Sequence, residues 1–146
     1  MKIERVTHID DNILKAFQKF IPELTKDPER IPTKDDLKKV IQSPNNYLFI
    51  ATKGNNVLGS LTLAFYNVPS GIKAWIEDVI VDDEARGQGV ATALISHAIE
   101  TAELNGATKL DLSSQPWRQA ANNLYVKMGF KRRDTNMYRL TLNQNL

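Results

Sequence analysis

The 146-residue chain has no cysteine and only two histidines, His8 and His97, far apart in sequence. Disulfides, thiolate nucleophiles and sulfur-ligated zinc are therefore excluded, the two histidines form no ligand motif, and no metal is expected. It also lacks an excess of charge of either sign. Nineteen Lys and Arg stand against seventeen Asp and Glu, a formal +2, too balanced for the electrostatic footprint of a nucleic-acid binder, so no nucleic-acid partner is expected. No apolar run approaches the roughly 20 residues that cross a bilayer. The opening Met1-Lys2-Ile3-Glu4-Arg5 lacks the apolar stretch of a signal peptide. The expectation is a cytoplasmic protein with no membrane partner. Repeats, low-complexity tracts and linkers are missing as well, and 42% hydrophobic residues over this length suit one compact domain, residues 1–146. Whatever chemistry the chain performs must rest on carboxylates, hydroxyls, tyrosine and backbone.

What is present reads as an α+β chain. Asp10 or Asp11 can cap a helix whose inward face is Ile13, Ala16, Phe17 and Phe20, with Pro22 as its expected end. Residues 25–32 are polar and proline-punctuated, a candidate mobile loop. Thr33 then caps a short helix with Leu37, Val40 and Ile41 inward, stopped at Ser43-Pro44. Residues 47–52, the turn signal Gly54-Asn55-Asn56 and residues 57–66 predict a β-hairpin. A third strand over 74–81 completes an antiparallel meander. From Gly87 the period changes. Ala91, Leu94, Ile95, Ala98, Ile99 and Ala102 trace a helical stripe that closes at Asn105-Gly106, and His97 lies off it, facing solvent or a helix flank. Residues 109–113 supply a strand, so strand, helix and strand make a crossover between parallel neighbours. A helix over 119–128 stops at Gly129, and Phe130 with residues 137–142 are expected as final strands. Trp75 and Tyr138 are expected to pack.

The segment most loaded with chemistry is Glu77-Asp78-Val79-Ile80-Val81, followed by residues 82–92, which joins a strand to a helix through Gly87 and Gly89. Glycines at a helix start let backbone N–H groups approach a phosphate, where the helix dipole offers roughly half a positive charge. Arg86 can add a contact or simply be solvated. A P-loop would require Gly-Lys-Ser/Thr, which is missing. A dinucleotide fingerprint beginning at Gly87 and Gly89 meets Thr92 where its third small residue belongs. Asp111 does lie about 20 residues on, but the chain has too few alternating strands and helices for that fold.

Arg86, Gly89 and Ala91 fill the pattern Arg/Gln-x-x-Gly-x-Gly/Ala, and residues 124–130 read Leu-Tyr-x-x-x-Gly-Phe. With residues 75–81 in the place of a central acyl-binding strand, the chain over about residues 45–142 resembles the GCN5-related N-acetyltransferase (GNAT) family. The resemblance implies an antiparallel meander followed by a β-α-β crossover with flanking helices, and acetyl-CoA as cosubstrate. It implies pantetheine pairing with the backbone of Val79, Ile80 and Val81, and a diphosphate resting on Arg86, Gly87, Gln88, Gly89, Val90, Ala91 and Thr92. Asn122 or Asn123 would reach the cofactor arm. The asparagine that many relatives carry earlier in that helix is replaced here by Arg118.

Acetyl transfer to a primary amine needs that amine neutral, although a typical alkyl ammonium has a pKa near ~10.4. The resemblance gives Glu77 as general base, with Asp78 or a water chain left open because strand alternation turns only one of the two toward the substrate. Tyr125 stands where the family carries its acid for the departing thiolate. With no cysteine, direct transfer in a ternary complex is implied rather than an acyl-enzyme. Residues 10–43 and the loop after Tyr66 are where relatives shape acceptor choice, and many relatives are homodimers. The alternative is a catalytically idle acyl-CoA-binding or sensing module. Lys131-Arg132-Arg133 reads as a solvated edge.

Overall fold

The structure is a computed structural model that describes residues 1–143. The chain divides into two compact units, residues 1–113 and the residues from 114 onward.

The first unit is built on a five-stranded sheet in sequential order. Strands β1 (Lys2–Arg5), β2 (Asn46–Lys53), β3 (Asn56–Val68) and β4 (Gly71–Val81) run antiparallel, and β5 (Lys109–Leu112) lies parallel to β4. The predicted meander and parallel crossover are thus present, with β3 and β4 longer than their alternating cores suggested. Alternation splits β2 between two layers. Leu48 and Ile50 join Val57 and Ile80 in a cluster with Ile13, Phe17, Phe20 and Leu37 from α1 (Asp11–Thr25) and α2 (Lys34–Gln42). On the opposite face Phe49 meets α3 (Val90–Leu104), where the ring of His97 stands edge-on at 4.7 Å. His97 is therefore a packing residue, because a polar-edged ring half a turn off the stripe still reaches a large aromatic on the sheet. Of the predicted stripe, Leu94, Ile95, Ala98 and Ala102 are buried and Ala91 and Ile99 half-buried, with Val90 buried beside them.

Asp10 caps α1 by accepting from the Ile13 N–H at 2.8 Å, and Thr33 with Asp36 forms a reciprocal capping box on α2. Pro22 does not end α1 as expected. Ile21 and Leu24 continue the apolar stripe onto the core, and that burial carries the helix through the proline's missing donor. The helix ends instead at Lys26, in the left-handed region at φ 55°, whose N–H donates to the Pro22 carbonyl. The following loop is tied by backbone bonds from Arg30 to Asp27 and from Ile31 to Glu29, and by the Gln18 amide donating to the Pro32 carbonyl.

The second unit contains α4 (Gln119–Lys127). Gly129, at φ 103°, turns the chain so that its N–H meets the Val126 carbonyl and the Phe130 N–H meets the Tyr125 carbonyl. This pair of bonds closes the helix in a Schellman motif, and Phe130 comes back edge-on against Tyr125 at 6.0 Å. The strands expected at Phe130 and residues 137–142 are not formed. A strand needs a ladder partner for its backbone groups; among the described residues β5 is the last strand, and residues 131–143 are exposed throughout. Tyr138 is correspondingly exposed rather than packed.

Candidate functional site

The site predicted from residues 77–92 is a continuous strand, turn and helix within the first unit. Two features of β4 prepare it. First, β4 outruns β5: parallel pairing ends at Ile76 opposite Leu112, while β4 continues to Val81. Ile80 and Val81 pair with β3 on one side, and no strand of the first unit pairs with residues 77–81 on the other. Second, β4 carries a bulge. Between the pairs Ser60–Ile80 and Thr62–Glu77, two residues of β4, Asp78 and Val79, stand against the single residue Leu61. Asp78 takes the left-handed conformation, φ 52°, which aspartate tolerates better than most side chains.

The bulge resets the alternation. Glu77 shares a face with Thr62 and Leu48, the face that α1 and α2 cover, and Ile80 three residues later lies on that same face. Glu77 is exposed there. Asp78 also keeps more than a third of its surface, yet the protein around its carboxyl strips enough water to push its pKa up.

After β4, a 3-10 turn over Asp83–Ala85 leads into Arg86–Gly89. Asp82 anchors this turn. Its N–H donates to the Leu58 carbonyl, and its carboxylate accepts from Lys19 Nζ at 3.1 Å and from the Glu84 N–H. The Lys19 ammonium holds the Asp82 carboxyl below its ordinary range. Gly87 and Gly89 have φ of 77° and 78°, and a Cβ at either would point into open space. Their need for glycine is thus conformational, and the space beside them is free for a ligand. Gly89 is the N-cap of α3, so no side chain caps the helix and no acidic residue occupies its first turn. The N–H groups of Val90, Ala91 and Thr92 are left to an outside acceptor, with the helix dipole behind them.

Arg86 does not reach inward. Its guanidinium pairs with Asp83 at 2.8 Å, both side chains being largely exposed, an interaction worth at most about 1 kcal/mol that a stronger anion can displace. Gln88 donates from its amide to the Glu84 carbonyl at 3.4 Å.

In the second unit, Tyr125 is buried, and that burial raises the pKa of its hydroxyl against an opposing effect of the Arg118 charge. The helix-closing motif explains the Leu-Tyr-x-x-x-Gly-Phe spacing: glycine provides the left-handed turn and the following phenylalanine packs on the tyrosine it passes. Asn122 uses its amide nitrogen to donate to the Gln115 carbonyl at 3.0 Å, which fixes the turn leading into α4. Arg118 begins α4 without capping it, its guanidinium 5.0 Å from the Trp117 ring centroid. Asn123 is exposed.

Sequence reasoning missed three parts of this arrangement. The bulge at Asp78 leaves no pattern beyond an acidic pair. The Lys19–Asp82 anchor joins residues 63 apart. Gly59 on β3 lies beneath the start of α3, where a Cβ would come within 2.5 Å of the Ile80 carbonyl and 2.9 Å of Val90. Among the described residues no group of three or more acidic or histidine side chains is placed to hold a metal, and no helix is long and apolar enough to cross a membrane.

The sequence profile of the acetyltransferase (GNAT) family matches residues 12–130. The chain belongs to the GNAT family. Among curated relatives, rat N-acetyltransferase 8F1 is 31% identical over 99 residues, covering 66% of this chain and 45% of its own length. Mouse thialysine N-epsilon-acetyltransferase is 32% identical over 79 residues, 53% of this chain and 46% of its own. The chain thus spans under half the length of these relatives. Among solved structures, a putative acetyltransferase from Agrobacterium tumefaciens superposes with a TM-score of 0.84 at 20% identity, over 97% of this chain and all of that one. An aminoglycoside acetyltransferase from an uncultured soil metagenomic sample, in complex with sisomicin, gives 0.82 at 21% identity, over 97% of this chain and 96% of its own. At these identities the superpositions establish the GNAT fold alone.

Proposed function

We propose that this GNAT protein is an N-acetyltransferase that moves the acetyl group of acetyl-CoA to a primary amine by direct transfer in a ternary complex. The observation that carries the reading is the coincidence, on one continuous segment, of a β4 end running past its β5 neighbour with a glycine-capped helix start whose N–H groups have no side-chain acceptor. An elongated ligand with a diphosphate at one end and an amide-bearing arm at the other matches both. Its diphosphate accepts from the backbone of residues 87–92, with Arg86 swinging from Asp83 to add charge. Its pantetheine amides pair with Val79, Ile80 and Val81 as an added strand would.

The amine nitrogen attacks the thioester carbonyl, whose oxygen is polarised by a strand N–H from Val79 or Ile80. Glu77, exposed on the face that α1 and α2 cover, takes the amine proton directly or through water, and Asp78 beside it is the competing base. The carbon–sulfur bond then breaks, and Tyr125, a phenol protonated at neutral pH whose burial pushes its pKa further up, delivers a proton to the departing thiolate. The acceptor is a primary amine of a small molecule or protein. The relative named for thialysine N-epsilon acetylation makes lysine-like amines a first set to assay.

Calorimetric titration with acetyl-CoA, followed by thiol release across a panel of amines, tests this. Wild type should bind and turn over. Gly89→Glu, which sets bulk and negative charge against the helix start, should weaken binding at least about tenfold. Full affinity in that variant would refute the loop assignment, and binding without turnover on any amine would favour a sensing module.

A further inference from the structure

Within the first unit, a pocket of about 410 Å³ lies between the connection from β1 to α1 and one face of α2. Two ammonium groups and an imidazole converge on it, Lys34 and Lys38 from α2 and His8 from the connection. The lysines stand four residues apart, so helix geometry sets like charges side by side. None of the lining residues carries a carboxylate. The acidic groups nearest in sequence are turned elsewhere: Asp10 accepts from the Ile13 N–H, Asp36 accepts from the Thr33 N–H, and Asp35 points about 100° around the helix from Lys34. Among the described residues the side chains of His8, Lys34 and Lys38 have no ion-pair or hydrogen-bond partner. Beneath this cationic rim the base is apolar. Ile9, 5% exposed, belongs to the α1/α2 core cluster, and half-buried Ile41 packs against it.

We propose that this pocket binds a small organic phosphate, a phosphate monoester with an apolar body. The phosphoryl group lies among Lys34, Lys38 and His8, with the Gln42 amide as a further donor, and the body rests on Ile9 and Ile41. Paired ammonium groups are point charges that suit a dianion, whereas the planar guanidinium fork that carboxylates favour is missing from the lining. The volume falls within the range of small-molecule sites and exceeds what a bare phosphate fills. Both walls are preformed, which lowers the cost of binding. The Val6 N–H donates to the Leu48 carbonyl at 2.8 Å and the Asp10 cap fixes the far end of the connection, while the Thr33 capping box and buried Leu37 hold α2. The pocket is separate from the cofactor segment: the sheet order sets β1 three strand spacings, about 14 Å, from β4.

Phenyl phosphate is the probe, added to the full chain with and without saturating acetyl-CoA and followed by calorimetry and amide chemical-shift mapping. A Kd of about 1 mM or tighter is expected, with shifts at residues 7–9 and 34–42 that acetyl-CoA leaves in place. Inorganic phosphate, lacking the apolar body, and benzoate, lacking the second charge, should each bind about tenfold more weakly. Both lysines are exposed, so Lys34→Gln with Lys38→Gln should leave the circular dichroism melt unchanged while weakening phenyl phosphate at least about tenfold. Lys39→Gln, on the same helix but outside the pocket, should bind as wild type does. The proposal is overturned if wild type shows no saturable binding, if the shifts fall on residues 86–92 and acetyl-CoA abolishes them, or if Lys39→Gln weakens binding as much as the paired variant. Equal affinity for benzoate would overturn the choice of a phosphate. The shift map is read without acetyl transfer, so its outcome is separate from that of the activity assays.

Discussion

Gly59→Ala probes the packing that aims the cofactor loop. Gly59 has an ordinary strand conformation, so alanine costs nothing through backbone angles there, and the whole effect comes from where the methyl goes. It would lie 2.5 Å from the Ile80 carbonyl oxygen, 2.9 Å from Val90 Cγ1 and 3.4 Å from Leu94 Cδ1. Ordinary contact begins at 3.4 Å, so β3 and β4 or α3 must separate by about 0.9 Å, and the first obstacle is backbone that cannot rotate aside. Overpacking of this kind costs about 1–3 kcal/mol, here toward the upper end. At roughly 3–5 °C per kcal/mol for a chain of this length, Tm should fall by about 5–15 °C in a circular dichroism melt. Because Ile80 and Val90 flank the loop from both sides, acetyl-CoA affinity measured well below the melt should fall as well. Gly54→Ala is the control: its methyl meets nothing, but φ of 61° makes alanine strained by about 1 kcal/mol, with no effect on the loop. A Gly59→Ala protein that melts no lower than the Gly54→Ala control would refute the close approach of β3 to α3.

Thr33→Ala removes half of the capping box on α2 and should lower stability by about 1 kcal/mol, read from the urea midpoint. Asp78→Asn keeps a residue that accepts positive φ but removes a carboxylate that the fold desolvates. In wild type the charged form is penalised in full above the raised folded pKa, and the penalty vanishes below the unfolded value of 3.8. The variant should therefore gain stability at neutral pH, by less than about 1 kcal/mol because the residue is still partly in water, and the gain should disappear near about pH 3. A pH-independent difference in Tm would contradict the desolvation of Asp78. Tyr125→Phe should lower kcat by about a hundredfold with little change in acetyl-CoA binding, since its hydroxyl acts at thiolate departure; unchanged turnover in the thiol-release assay removes it from the mechanism.

Local chemistry fixed most of the fold in advance. The period of apolar residues, the caps at Asp10 and Thr33, the turn at Gly54 and the glycines at 87, 89 and 129 each act within a few residues, so they can be read without knowing what the chain folds against. The family motifs were legible for the same reason: both are backbone devices, a glycine helix start and a glycine helix stop, whose spacing is set by helix geometry.

What the sequence could not settle is whatever depends on a partner distant along the chain. Pro22 was misread because its cost is local while the burial of Ile21 and Leu24 that outweighs it is not. Residues 137–142 carry the pattern of a strand, but a strand exists only against a neighbour, which a local pattern does not supply. The bulge at Asp78 arises from the register of β4 on β3, the Lys19–Asp82 anchor from α1 lying beside the loop, and the role of Gly59 from the approach of α3. Residue types determined which elements could form and where phosphate-seeking N–H groups would gather. The tertiary structure alone decided which carboxylate is desolvated and where β4 outruns its parallel neighbour, because burial and pairing are properties of the folded chain.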